Sequence, residues 1–226
     1  MESPTPAVQD YLKAIFLLGE TPEDDDPISV SRVDEALSVT APSASNMLKR
    51  LEEMGYVSSR APQGERRPVV ELTDQGRVAA LTVVRHHRLL ETFLATRLGM
   101  SWDEVHREAE VLEHHISETL ATRIAEVLGH PERDPHGDPI PTPQGEVEPV
   151  PLERLSDLTV GQTGTVSRVN DRDSELLRYL AERGLVPDAE VEIVEVGQFG
   201  GPISITVDRS RLVSVPPEAA RAVHIA

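Results

Sequence analysis

Apolar residues recur at helical spacing over residues 7–20, where Val8, Tyr11, Leu12, Ile15, Phe16 and Leu18 share one face and Thr21-Pro22 ends the run. An acidic loop, Glu23-Asp24-Asp25-Asp26-Pro27, comes next. A short helix around Ser31 to Leu37, a turn through Ser38-Val39-Thr40-Ala41 and a helix from about Pro42 to Met54 follow it. Two short helices joined by a tight turn fit a helix-turn-helix, whose second helix presents its N-terminal residues to base edges. In that reading Thr40, Pro42, Ser43, Ser45 and Asn46 meet DNA first, with Lys49 and Arg50 behind them, while Met47, Leu48, Leu51 and Met54 face the core. An ordinary helical pair fits these residues equally well. After Gly55, residues 56–60 and 68–72 read as two strands joined by a basic tip, and the resulting wing carries Arg60, Arg66 and Arg67.

Thr73 reads as an N-cap for a helix over 74–98, which Gly99 ends. A Ser101 cap is expected to start the next helix, reaching about 112–115, with further helix through Leu120, Ile124 and Leu128 to Gly129. These helices are too many for a winged-helix module alone, so a dimerisation unit is the expected use. From Pro131 to Pro151 seven of 21 residues are proline with almost no apolar periodicity, the pattern of a stiff tether. Beyond it come a strand candidate at 161–169, a helix over 174–183 ended by Gly184, and strands at 190–196, 202–207 and 211–215. The expected fold is therefore mainly α with small β. A winged helix-turn-helix takes up 1–73, a helical dimerisation and metal-binding domain 74–130 and a proline-rich linker 131–151, and a small barrel fills 152–226.

Charge changes this picture. The net charge is −17, distributed as −6 over residues 1–72, −3 over 73–130 and −8 over 131–226, so bulk charge disfavours nucleic acid. Residues 43–67 nevertheless carry five cations against three carboxylates, a local positive balance where the DNA-reading elements are expected. There is no cysteine, which excludes disulfides, thiolate zinc and iron–sulfur clusters and leaves any metal site to oxygen and nitrogen donors. Neither a basic-then-apolar leader nor an apolar run near 18 residues is present, so a cytoplasmic protein without membrane contact is expected.

The stretch from His86 to His115 carries the candidate chemistry. Relative to His106 on a helix, Glu110, Glu113 and His114 fall at roughly 40°, −20° and 80°, all on one face. Val105, Ala109, Leu112, Ile116 and Leu120 form a separate apolar arc. His87 and Glu91 supply a second pair at i, i+4 on the preceding helix. Imidazole with carboxylate suits Mn, Fe(II), Co and Zn. The alternative is a solvated helix face whose Glu and His pair locally.

The order of winged helix, two-histidine helical unit, proline-rich segment and small barrel resembles the diphtheria-toxin-repressor family of metal-dependent transcriptional repressors, over nearly the whole chain. Three stretches carry the likeness: Arg85-His86-His87-Arg88-Leu89-Leu90-Glu91, the run from Val105 to His114, and Pro135-His136-Gly137-Asp138-Pro139-Ile140-Pro141. The resemblance implies an SH3-like barrel, a homodimer on a double-stranded DNA operator, Mn(II) or Fe(II) as activating metal and no small-molecule substrate. It places a primary site on Asp10, Glu110, Glu113 and His114, an ancillary site on His87, Glu91 and His106, and an added barrel ligand on Asp171. Two departures bear on the metal. The iron-sensing branch has methionine and cysteine where this chain has Asp10 and Glu110, which points to the manganese branch. That branch has a further glutamate where this chain has Lys13. His86, His115 and His136 read as plain surface residues, and His130 and His224 carry no signal.

Two rival readings remain. A di-iron carboxylate enzyme wants Glu-x-x-His on two helices, and no Glu here has His three residues later; His-Glu-x-x-His is also absent. A metal-insensitive winged-helix regulator needs only a solvated Glu and His face.

Overall fold

The computed structural model describes residues 4–20, 27–60, 69–102, 104–150, 153–170 and 173–226. They form two compact units, one of residues 1–86 with 141–146, the other of 87–140 with 147–226. Arg66, Arg67 and Asp171, expected to take part in DNA or metal binding, lie outside the described residues.

In the first unit α1 (Pro6–Glu20) buries Val8, Leu12, Ile15 and Phe16, the stripe its periodicity dictates. Helix α2 (Val30–Ala36) starts on Ser29, whose hydroxyl accepts from the Arg32 N–H at 3.3 Å. Helix α3 (Ala41–Glu53) follows a short turn with Pro42 in its first turn, and buries Ala44, Leu48 and Leu51. Met54, expected in the core, is exposed because α3 has ended before it. Strands β1 (Val57–Arg60) and β2 (Val69–Leu72) pair antiparallel from Val57 opposite Leu72 to Arg60 opposite Val69, which is the two-stranded wing. Thr73 does cap α4 (Asp74–Leu98): its hydroxyl accepts from the Gly76 N–H and donates to the Gly55 carbonyl.

The second unit takes over α4 from His87 onward and adds α5 (Val105–Leu112) and α6 (Glu118–Leu128). Leu89, Leu90, Ala109, Ala121, Ile124, Ala125 and Ile140 make its helical core. Helix α6 is capped by Ser117 and stopped by Gly129, which takes the left-handed conformation that closes a helix end. Ser101 does not cap α5: it opens a preceding turn, the Glu104 and Val105 N–H groups donate to its carbonyl, and the helix starts four residues later. Leu112 and Leu120, expected in the apolar arc, are exposed, and Ile116 is half-buried.

The C-terminal part is a five-stranded antiparallel sheet in the order β6 (Arg211–Val215), β5 (Ile203–Val207), β4 (Glu190–Val196), β3 (Thr163–Val169), β7 (Val223–Ile225). Helices α7 (Ser174–Ala181) and α8 (Pro217–Arg221) accompany it, α7 starting on Asp173, whose carboxylate accepts two N–H bonds. Leu155, Val166, Leu177, Leu180, Ile193, Ile205 and Val223 fill its interior, with Trp102 packed at the margin. Strand β7 and helix α8 were not anticipated; the run Val223-His224-Ile225 is too short to show a period.

The segment expected as a stiff tether is packed into the fold over its first half. Asp134 and residues 136–141 are buried in a chain of bonds: the Asp134 N–H donates to the Asp138 carbonyl, and the Val169 N–H of β3 donates to the carbonyl of His136. Among the described residues no helix is long and apolar enough to cross a membrane.

Candidate metal centre

Helix α4 sets the site. His87 and Glu91 lie one turn apart and both point inward, with Glu91 fully buried and its Oε1 2.9 Å from His87 Nε2. Helix α5 brings His106, whose Nδ1 is 3.0 Å from the same Oε1 and 3.1 Å from His87 Nε2, with the two rings edge to face. These three residues offer ligand atoms within 4.8 Å of one another. The expected ancillary trio is thus assembled in one place.

A second trio shares Glu91. Asp134 and His136 offer atoms within the same 4.8 Å span of Glu91, and all three residues are buried. His136 Nδ1 stands 3.8 Å from Glu91 Oε2, while its Nε2 is 3.1 Å from the Trp102 carbonyl. Reading His136 as a surface residue is therefore incorrect, and so is that reading of His86, which is also buried; His115 is exposed as expected. The signal for His136 lay in Pro135-His136-Gly137-Asp138, a family-like stretch whose histidine was hidden by the proline density around it.

Electrostatics single out the same spot. Burial opposes ionisation of Glu91, yet the neighbouring His87 charge, hydrogen bonds from His106 and His87 and the nearby His136 hold its carboxyl well below the usual range. Asp134 goes the other way: burial, then the adjacent Asp138 and Glu91 carboxylates, push it well above that range against Arg88 and His136. Among the described residues, Glu91 Oε2 and Asp134 Oδ2 are both buried without a hydrogen-bond partner. Two buried carboxylate oxygens beside imidazole nitrogens, with no sulfur donor, are the donor set of a hard or borderline divalent cation. The residues present therefore fit a metal such as Mn(II) or Fe(II).

The expected primary ligands are arranged less simply. Glu113 is buried just past the end of α5, bonded to His87 Nδ1 through Oε2, and its Oε1 is 3.5 Å from His114 Nε2. Glu113 and His114 thus lie in a turn and not on the helix. Glu110 is exposed on α5, its carboxylate 3.6 Å from His106 Nε2. Asp10 is half-buried on α1, in the first unit. Of the residues expected at DNA on α3 and its N-cap, Thr40, Pro42, Ser43, Asn46, Lys49 and Arg50 are exposed and Ser45 is half-buried, with Thr40 Oγ1 2.9 Å from Ser43 Oγ.

Three family models match in series: the N-terminal DNA-binding domain of iron-dependent repressors over residues 5–64, their metal-binding and dimerisation domain over 73–142, and the FeoA domain over 153–226. The chain is 33% identical to the iron-dependent repressor IdeR of Mycobacterium tuberculosis, over 95% of this chain and 94% of that one. It is 34% identical to the regulator MntR of Geobacillus kaustophilus over half of this chain and 74% of that one. A manganese-dependent transcriptional repressor solved in complex with manganese superposes with a TM-score of 0.88 at 42% identity, covering 97% of this chain and 99% of that one. With a relative this similar over nearly its full length and all three domains in order, the chain belongs to the diphtheria-toxin-repressor family of iron- and manganese-dependent transcriptional repressors.

Proposed function

We propose that this protein is a cytoplasmic, homodimeric transcriptional repressor of metal-uptake genes that binds its operator when loaded with Mn(II) or Fe(II). The observation that carries the metal dependence is the buried Glu91, whose second oxygen lacks a hydrogen bond among the described residues and lies beside Asp134 and His136. Leaving such an oxygen unpaired in the interior is costly, and a bound cation removes that cost. A divalent ion supplies positive charge and coordination bonds among these carboxylates and imidazoles.

Glu91 takes part in the second site, with His87 and His106 on one side of it and Asp134 and His136 on the other. Asp10, Glu110, Glu113 and His114 are the primary ligands in this reading, supported by their donor chemistry and by the family motif they match; Asp171 is a further candidate from the barrel. Asp10 is the one ligand carried by the DNA-binding module, so it is the link through which metal binding acts on DNA affinity. Thr40, Ser43, Ser45 and Asn46 then meet bases, while Lys49, Arg50, Arg60, Arg66 and Arg67 meet phosphates.

The test is selection of genomic DNA fragments by the purified protein in Mn(II), repeated in chelator, at fixed salt. Retention of specific fragments with Mn(II), with loss in chelator and in Asp10→Ala, is expected. Equal retention with and without metal makes the protein a metal-insensitive winged-helix regulator instead.

A further inference from the structure

Asp138 receives arginines from two different elements. Arg88 Nη2 of α4 is 3.1 Å from its Oδ1, and Arg168 Nε of β3 is 2.9 Å from the same oxygen, with all three side chains buried. Asp138 sits in the segment that carries Asp134 and His136. Within it, Asp134 Oδ1 accepts from the His136 N–H at 2.8 Å and from the Asp138 N–H at 2.9 Å, which leaves Asp134 Oδ2 without a hydrogen bond among the described residues.

The segment is held tightly on both sides. Toward β3, a Cβ on Gly137 would stand 2.1 Å from the Ser167 carbonyl oxygen and 2.9 Å from Arg168 Cα, at a φ of +90°, so only glycine permits this approach. Toward α5, Trp102 Nε1 donates to the Pro135 carbonyl at 3.0 Å and the Trp102 ring lies 5.2 Å from that of His136. Metal affinity depends on how well ligands are held in place by the groups behind them. A buried carboxylate that loses one of two arginines is left undercompensated, and the backbone carrying it moves to relieve this.

We propose that Arg168 of the C-terminal barrel is a positioning residue for the second metal site: through Asp138 it holds the 134–138 segment so that Asp134 and His136 stay beside Glu91. This rests on the proposed metal binding at Glu91. The barrel then tunes the site without contributing a ligand through this residue.

The experiment uses the full-length protein, with Mn(II) titrated by calorimetry and Trp102, the one tryptophan of the chain, followed by its emission. Arg168→Gln should weaken the Glu91 site roughly 10- to 100-fold, the range for losing a group that supports a ligand, while leaving the other site unchanged. The metal-free emission of Trp102 should shift, because the segment bonded to its indole is loosened. Arg168→Lys, which keeps the charge, should recover most of the affinity. Gly137→Ala should reproduce the loss from the opposite side without altering any charge. Circular dichroism verifies folding, and Arg168→Lys with Gly137→Ala decide the matter if Arg168→Gln does not fold. Wild-type affinity in Arg168→Gln, or in both Arg168→Lys and Gly137→Ala when Arg168→Gln does not fold, overturns the proposal. If wild type and Glu91→Gln bind the same number of Mn(II) ions with the same affinity, the site at Glu91 is what fails, and the functional reading with it.

Discussion

Glu91 Oε2 and His136 Nδ1 lie 3.8 Å apart with neither residue exposed to solvent, and the carboxylate oxygen has no hydrogen bond among the described residues. That separation is too long for a hydrogen bond and suits two ligands of one ion. The other oxygen of Glu91 is already shared by His87 and His106, so a single carboxylate stands between two imidazole-containing groups. Helix α4 can place it there because α5 and the 134–138 segment pack against the same turn of the helix.

Replacing Glu91 should therefore be more damaging than replacing any one of its partners. Glu91→Ala is expected to abolish the second metal equivalent in a Mn(II) titration, whereas His106→Ala should only weaken it. Full second-site binding in Glu91→Ala would show that the carboxylate is structural.

The opposite displacements of Glu91 and Asp134 give the metal-free protein a characteristic pH response. Glu91, held below its ordinary value, contributes stability that is present above that value and is lost as pH falls through its lowered one. Asp134, pushed above its ordinary value, contributes stability at low pH that is lost as pH rises through its raised one. In chelator, wild type should thus lose thermal stability toward neutral pH relative to Asp134→Asn, and Mn(II) should reverse the difference by taking the place of the proton. Parallel melting profiles for the two proteins in chelator would count against a buried, proton-holding Asp134.

Several apolar side chains of the helical unit are left uncovered in a single chain: Leu120 is 47% exposed, Val127 55% and Val111 62%. Leu120 and Val127 lie two turns apart on one face of α6, within the region matched by the metal-binding and dimerisation domain model. Exposed aliphatic stripes of this kind are characteristic of subunit contacts. Leu120→Asp with Val127→Asp should yield monomers by light scattering and lose operator affinity while still binding Mn(II). A dimer that survives both changes places the contact elsewhere.

At the DNA surface the two classes of contact should separate. Asn46→Ala is expected to cost on the order of 1–3 kcal/mol at one base position and to relax specificity there. Arg66→Ala with Arg67→Ala should weaken binding to all sequences and reduce the salt slope by roughly one unit per lost phosphate contact. A change of sequence preference with an unaltered salt slope would remove the wing residues from the phosphate-binding set.

Much of this architecture is dictated by local pattern. The stripe of Val8, Leu12, Ile15 and Phe16, the glycine stop at Gly129, the Thr73 cap and the alternation in β4 and β5 depend on near neighbours, so α1 to α4, α6, the wing and most of the barrel were legible from periodicity and punctuation alone. The same holds for the pairing of His87 with Glu91, which one helical turn enforces. The fate of residues 134–141 was decided only by tertiary structure. Proline density determines backbone stiffness and says nothing of burial, which here comes from the bond between the Val169 N–H and the His136 carbonyl and from the ion pairs of Arg88 and Arg168 with Asp138. The wheel that put Glu113 and His114 on one helical face ran past the end of α5, a boundary no periodicity marks. Tertiary packing also chose which carboxylate is enclosed: Glu91 and Glu110 each have a histidine four residues away, but Glu91 is buried and Glu110 exposed, and enclosure is what leaves the second oxygen of Glu91 without a hydrogen bond among the described residues.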